Sequence, residues 1–300
     1  MLVDNFININ QLKKSELEDI LSDSFHFQEI FKKNDIPFFE NKNVIFLFLE
    51  PSTRTKTSFH FACSILGIKV IDISQENSSI LKGESIENTL STLNSYPADA
   101  IIIRSSNHDD FKAAERILDF PIINAGSGTN SHPTQTLADL KTLKEKFDDF
   151  KELKISIVGD LLHSRVANSF IEGFSKYKLK TNLFSPPYFK PEKIDPEKVN
   201  FYEDFEECLN NSDVVMALRI QKERFKNLNI NLKEYSSKYQ IDQNKLDKFN
   251  IKYIMHPGPV NEGVEISKGL QNNIKSLISN QVKNGVWVRC AILNKILKVD

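Results

Sequence analysis

Ser52, Thr53, Arg54 and Thr55 stand in the stretch FLEPSTRTKTSF, directly after a run of apolar residues and where a strand would turn into a helix. Hydroxyls and a guanidinium at such a turn have two readings. One is capping, in which a Ser or Thr oxygen accepts from the free N–H groups of the first turn. The other is an anion cradle. Arg54 separates them, because a cation at a helix N-terminus opposes the positive end of the helix dipole. A bound anion removes that conflict: backbone N–H groups, the hydroxyls of Ser52, Thr53 and Thr55, and the Arg54 fork would converge on it. Phosphate is the natural candidate. GxxxxGK[ST] is absent, so the turn is not a Walker loop.

Other polar groups recur at comparable places. Arg104 follows the apolar run Ala100–Ile103; Gly159 and Asp160 follow Ile155–Val158, with His163 and Arg165 close behind. Arg219 and Gln221 follow Val214–Leu218, and His256 follows Lys252–Met255. NAGSGTNSHPTQTLADL combines a Gly-rich loop with a helix start that puts His132 and Gln135 on one face. A lone histidine is usually structural, but a Gly-rich turn beside it permits close approach of a ligand. IVGD raises a nucleotide-binding alternative that the missing GxGxxG weakens. HPGPV reads as a proline-framed loop able to aim a backbone carbonyl inward. RIQKER is an ordinary solvated face or part of a site, and Lys82 in NSSILKGES is by itself a surface lysine. His26, His60 and His108 lack ligand-like spacing, so no metal is assigned and no cofactor is implied.

The elements that must position these groups are legible as apolar runs: Val44–Leu49, Ile68–Ile73, Ala100–Ile103, Pro121–Ile123, Ile155–Val158, Thr181–Phe184, Val214–Leu218 and Lys252–Met255. Most are continuous, as for strands buried on both faces, and helix-length segments lie between them. The pattern reads as α/β with parallel sheets, where ligands bind outside the carboxyl ends of the strands. Scattered surface cations would not track strand ends in this way. In the helix after the opening turn, Phe59, Ala62, Cys63 and Leu66 share one face and Gly67 supplies the stop, so Cys63 reads as core and not as a nucleophile. The runs fit one sheet or two, with the charged segment Lys141–Lys154 between two similar halves. After a break at Asn284–Gly285 the chain ends in an amphipathic helix.

Composition narrows the classes. Among 300 residues, 39 Lys and Arg balance 40 Asp and Glu, for a net charge of -1, and 40% are hydrophobic. A sizeable core is affordable, and no bulk field draws in nucleic acid or an anionic membrane. Three cysteines at wide spacing without CxxC imply no disulfide frame and fit a reducing compartment. No signal peptide is visible, and no apolar run approaches the roughly 20 residues of a membrane span. The expectation is a cytoplasmic protein.

Taken in order, FLEPSTRTKTSF, SSILKGES, IIIRSS, NAGSGTNSHPTQTLADL, IVGDLLHSRVANS, ALRIQKERF, MHPGPVNEGVEI and QVKNGVWVRCAIL resemble the catalytic chains of the aspartate/ornithine transcarbamoylase superfamily, and within it those that act on aspartate. The resemblance covers nearly the whole chain. It implies two α/β domains, each a parallel sheet flanked by helices, with the active site in the crevice between them. A carbamoyl-phosphate domain spans 1–131, an aspartate domain 132–284, and a last helix, 285–300, packs back on the first. It implies a homotrimer with shared sites, leaves open a regulatory chain, and carries the family's reaction in pyrimidine biosynthesis. By resemblance, Ser52, Thr53, Arg54 and Thr55 bind the phosphate of carbamoyl phosphate. Thr55, Arg104 and His132 surround its carbonyl oxygen, Gln135 its nitrogen, and Gly258 and Pro259 flank the same amide. Arg165, Arg219 and Gln221 match positions that hold the aspartate carboxylates. Ser78 and Lys82 match residues delivered by the neighbouring subunit, and Lys82 also reaches aspartate. Glu50, Lys222, Glu223 and Arg224 match positions tied to domain closure. The catalytic set is Arg54, Thr55, Lys82, Arg104 and His132.

Three positions depart from the family pattern: Gly258 replaces a common leucine, Val166 a threonine of some members, and Glu262 an often basic residue. Two arginines suit the two carboxylates of aspartate. Ornithine, with one carboxylate and a second amine, is the alternative substrate, and its enzymes usually show HCLP where this chain has HPGP. A non-catalytic anion-binding homologue is the alternative from another class.

Overall fold

The computed structural model describes residues 5–33, 35–36, 38–74, 79–221 and 231–297. The chain forms two compact units, Met1–Lys141 with Val282–Asp300, and Thr142–Gln281.

The first unit is built on a four-stranded parallel sheet in the order β2-β1-β3-β4, from β1 (Asn43–Phe48), β2 (Lys69–Ser74), β3 (Ala100–Ser105) and β4 (Ile122–Ser127). Between and around them run α1 (Lys14–Lys32), α2 (Thr53–Leu66), α3 (Ile86–Asn94), α4 (Asp109–Ile117) and α5 (Pro133–Lys144). Central β1 reads NVIFLF and is buried from its second residue on, while edge strand β2 has no fully buried residue. That contrast is why the first is an unbroken apolar run. Leu47, Ile101, Ile103, Leu90, Leu93 and Phe111 share one core cluster.

The second unit has five parallel strands in the order β7-β6-β5-β8-β9: β5 (Ile155–Val158), β6 (Thr181–Phe184), β7 (Val199–Phe201), β8 (Val214–Ala217) and β9 (Tyr253–Met255). Its helices are α6 (Arg165–Ser175), α7 (Phe205–Asn210), α8 (Leu232–Tyr239) and α9 (Gln243–Lys248). The open choice between one sheet and two thus resolves as two. Among the described residues no helix is long and apolar enough to cross a membrane.

Two expectations are corrected. The loop expected from Asn124 onward begins later, because Asn124–Ser127 completes β4; a register shift in β3 lets Ser105 pair with Ser127. Asn124 spends its carboxamide inside the strand, donating to Ile7 O at 2.7 Å and accepting from Gly126 N at 2.7 Å. The break expected at Asn284–Gly285 does not exist. The last helix, α10 (Ile278–Leu297), runs through both residues unbroken. A Cβ on Gly285 would lie 2.4 Å from Nη1 of Arg289, one turn on, so a larger residue there displaces the end of that side chain.

Cys63, Cys208 and Cys290 are free and buried. Burial pushes the Cys63 and Cys208 thiols up to about 12 and Cys290 higher still, so the reading of Cys63 as core holds. Gly67 ends α2 in the left-handed region, and the N–H of Ile68 reaches back 2.9 Å to Cys63 O.

Candidate active site

In the first sheet β1 and β3 are neighbours, yet the chain continues from β1 to β2 on one side and from β3 to β4 on the other. Such a reversal opens a gap above the carboxyl ends of the two strands. Ser52–Thr55 follow β1, and Arg104 lies near the end of β3, in register with Phe48. Ser52 is the N-cap residue of α2, with extended backbone at φ -156, but its hydroxyl makes no capping hydrogen bond, and the first turn holds no acidic residue. The capping reading therefore fails at Ser52. Thr55 is buried, with Oγ1 3.4 Å from His132 Nε2, so residues 77 positions apart converge. Arg104 donates from Nη1 to Ala125 O at 3.2 Å, and its Nε lies 3.3 Å from Glu50 Oε2. Gln135 donates from Nε2 to Asp139 Oδ1 at 2.8 Å.

Beneath these groups lies a buried cation. Arg289 of α10 donates to Thr134 Oγ1 at 3.3 Å, and its guanidinium sits 4.8 Å from the ring centre of Phe59 on α2. Burial pushes its pKa down to about 9; Asp139 opposes that shift and Arg104 adds to it, and the group stays protonated at neutral pH. Lys82 is exposed at the end of the short turn Ser79–Lys82. No hydrogen bond or ion pair among the described residues ties it to Ser52–Thr55 within the chain. Ser78 lies outside the described residues.

The second sheet repeats the arrangement. β5 and β8 are neighbours from which the chain departs in opposite directions. After β5 comes Gly159 at φ 123, where a Cβ would lie 3.0 Å from Leu218 O, so only glycine lets the two strand ends approach this closely. Asp160 is buried and accepts from the N and Nδ1 of His163 at 3.2 and 2.9 Å. Burial raises its pKa, and the bonds from His163 pull the other way. Arg165 opens α6, whose N-cap Ser164 accepts from Ala167 N at 3.1 Å. Arg219 follows β8, and Gln221 donates to His163 O at 3.0 Å, joining the two strand-end loops. Beyond β9, Gly258 lies at φ 70 and its bond to Pro259 is cis. A leucine at that φ would be strained and glycine is not. Glu262 is exposed and accepts from Gln271 Nε2 at 2.6 Å, an ordinary surface bond. Lys222, Glu223 and Arg224 lie outside the described residues.

The structure thus gathers Thr55, His132, Arg104 and Gln135 in one unit, and Arg165, Arg219, Gln221 and Gly258 in the other. Sequence reading missed Asp139, Arg289, Asn261 and Glu265. Asp139 had a signal, four residues after Gln135 on a helix. Arg289 had a weaker one, four residues after Gly285.

A family model described as the carbamoyl-P binding domain of aspartate/ornithine carbamoyltransferase matches residues 4–145, and one described as the Asp/Orn binding domain matches residues 151–296. The chain belongs to the aspartate/ornithine carbamoyltransferase family. Among its relatives within that family, the aspartate carbamoyltransferase catalytic subunit of Moorella thermoacetica is 38% identical, with 96% of this chain and 95% of that one covered. Among solved structures, Trypanosoma cruzi aspartate transcarbamoylase with carbamoyl aspartate and phosphate superposes with a TM-score of 0.89 at 26% identity, covering 98% and 96% of the two chains. The catalytic subunit of M. jannaschii aspartate transcarbamoylase gives 0.86 at 31% identity, covering 98% of each. As a carbamoyltransferase-family chain, it carries its two switch points in the two matched domains, one in each.

Proposed function

We infer that this chain is an aspartate carbamoyltransferase. It transfers the carbamoyl group of carbamoyl phosphate to the amino group of L-aspartate, giving N-carbamoyl-L-aspartate and phosphate. The observation that carries this reading is that the chain holds both an uncapped Ser-Thr-Arg-Thr turn at the switch point of its first sheet and two arginines, Arg165 and Arg219, at the strand ends of its second.

In this reading the turn at Ser52–Thr55 holds the phosphate through its N–H groups, hydroxyls and Arg54. Thr55, Arg104 and His132 point hydrogen-bond donors at the carbonyl oxygen. The amine of aspartate attacks the carbonyl carbon, and the resulting oxyanion is stabilised by about 3–4 kcal/mol for each well-placed donor. Gln135 has its N–H₂ engaged by Asp139, which leaves its carbonyl oxygen to accept from the carbamoyl nitrogen. The bond to phosphate then breaks, Arg54 pairs with the charge on the leaving group, and phosphate can accept the amine proton. Gly258 and Pro259 present a backbone carbonyl to the same amide. Arg165, Arg219 and Gln221 hold the two carboxylates of aspartate. Val166 has no hydroxyl to add to them. Holding both substrates in attack geometry contributes roughly 7–11 kcal/mol more.

The reading extends to a homotrimer in which Ser78 and Lys82 complete a neighbour's site. Supporting it, α2 and the edge strand β2 carry the exposed Phe61 and Ile71, and Leu81 is exposed beside Lys82. Three buried, unpaired thiols fit the cytoplasm. The test is a product assay offering carbamoyl phosphate with aspartate and with ornithine, side by side. Carbamoyl aspartate as the main product is expected; citrulline instead, or binding without product, overturns the reading.

A further inference from the structure

The loop after β9 is held by a buried pair that the reaction itself does not use. His256 and Glu265 are both about 1% exposed. Gly258 N donates to His256 Nδ1 at 2.8 Å. A backbone N–H can only donate, so Nδ1 is the acceptor and the ring hydrogen sits on Nε2. That Nε2 faces Glu265 Oε1 at 3.1 Å and donates to it. The same carboxylate oxygen accepts from Asn261 N at 2.6 Å.

The chain of bonds continues. The carboxamide of Asn261 donates from Nδ2 to Ile220 O at 3.1 Å. Ile220 is fully buried and stands between Arg219 and Gln221. Gln221 in turn donates to His163 O, and His163 is bonded to Asp160. One carboxylate therefore lies at the root of a continuous path through three strand-end loops of the second unit. On one side it fixes the conformation of Gly258. On the other it fixes the backbone that aims Arg219 and Gln221.

We propose that Glu265 is a positioning residue that sets the geometry of both the Gly258–Pro259 loop and the Arg219–Gln221 segment, acting through His256 on one side and Asn261 on the other. It touches no substrate. Its removal leaves His256 free to exchange tautomers, which costs Gly258 its acceptor, and leaves the half-buried N–H of Asn261 without one. Half-buried donors that lose an acceptor turn toward water, and the loop backbone that carries them shifts with them. This inference rests on the functional reading above only for its kinetic arm. Its spectroscopic arm stands alone.

The experiment compares Glu265→Ala, Glu265→Gln and Asn261→Ala with the parent enzyme. In ¹⁵N-histidine spectra of the parent, one buried imidazole shows unprotonated Nδ1 and protonated Nε2, and Glu265→Ala converts it to a mixture. A parent spectrum with Nδ1 protonated overturns the assignment. In kinetics, Glu265→Ala raises the aspartate KM at least tenfold and lowers kcat. Binding of inorganic phosphate, which uses the first unit, changes less than threefold, and a melting curve with the parent's full cooperative transition shows that the second unit of the variant is folded. Glu265→Gln keeps an oxygen able to accept both bonds and restores most activity. Asn261→Ala raises the aspartate KM, and adding it to Glu265→Ala costs less than the product of the two single effects. A folded Glu265→Ala enzyme with unchanged aspartate KM and kcat overturns the positioning role. A parent enzyme without turnover overturns the functional reading instead and leaves the tautomer result to decide this one.

Discussion

At the scale of single residues, Arg54 and Asp160 are opposite cases, one at odds with the helix it stands in and the other with its own burial. Arg54 is the second residue of α2, where the dipole disfavours it, and the Ser52 hydroxyl makes no capping bond beside it. The proposed phosphate would account for both. Arg54→Ala is expected to lower turnover by roughly a hundred- to a thousandfold while leaving thermal unfolding nearly unchanged; steady-state rates and a melting curve check it. Asp160 is the opposite case. Its pKa is raised chiefly by burial, so the folded state binds its proton more tightly than the unfolded state does. The stability it contributes is full below the ordinary aspartate value and falls as pH rises through the raised one. Asp160→Asn keeps an oxygen for His163 and removes the titration. Its stability should gain on the parent's as pH rises across that window, which unfolding curves from acid to neutral pH measure.

At the scale of elements, what the sequence disclosed depended on burial. β1 and β5 were readable because both faces are covered and nearly every residue is apolar. β7, Val199–Phe201, escaped because it is a three-residue edge strand whose middle residue is an exposed Asn. The end of β4 escaped for a different reason: Asn124, Gly126 and Ser127 have turn-like chemistry, and only pairing with β3 makes them strand. Gly285 misled most directly, since glycine in a helix ordinarily weakens it. The chain accepts that cost to admit a guanidinium against Phe59 and Thr134. Gly285→Val should therefore lower stability by about 1–3 kcal/mol through overpacking, despite valine's better helix propensity. Denaturant unfolding measures it, and the loss should be largely absent when Arg289 is also replaced by methionine.

At the scale of the whole molecule, the legible part of the site was its chemistry and the illegible part its scaffolding. Residues meant to meet a substrate stand at strand ends and keep their polar character in an apolar context, which a sequence reveals. Those that hold them, such as Glu265 nine residues beyond His256, depend on a path the chain takes through space. The proposed sharing of the site between subunits has a test at this scale. Arg54→Ala and Lys82→Ala chains, each nearly inactive alone, should regain activity after subunits are exchanged, because each mixed trimer assembles an intact site from one parent of each kind. Failure to recover in verified hybrids would count against the neighbour's lysine.

The division of the chain has a consequence for how it is made. The first unit takes its opening 141 residues from the start of the sequence and completes itself with Val282 onward. Val288, Cys290, Ile292 and Leu293 of α10 are fully buried, and Arg289 reaches Phe59 of α2 and Thr134 of α5. During synthesis, then, the first half of the chain must wait with an unfinished interior until the second unit has been translated. Residues up to Lys141 belong to a unit that closes only after Thr142–Gln281 has been translated, and a chain interrupted before α10 carries a Ser52–Thr55 turn whose helix lacks that support.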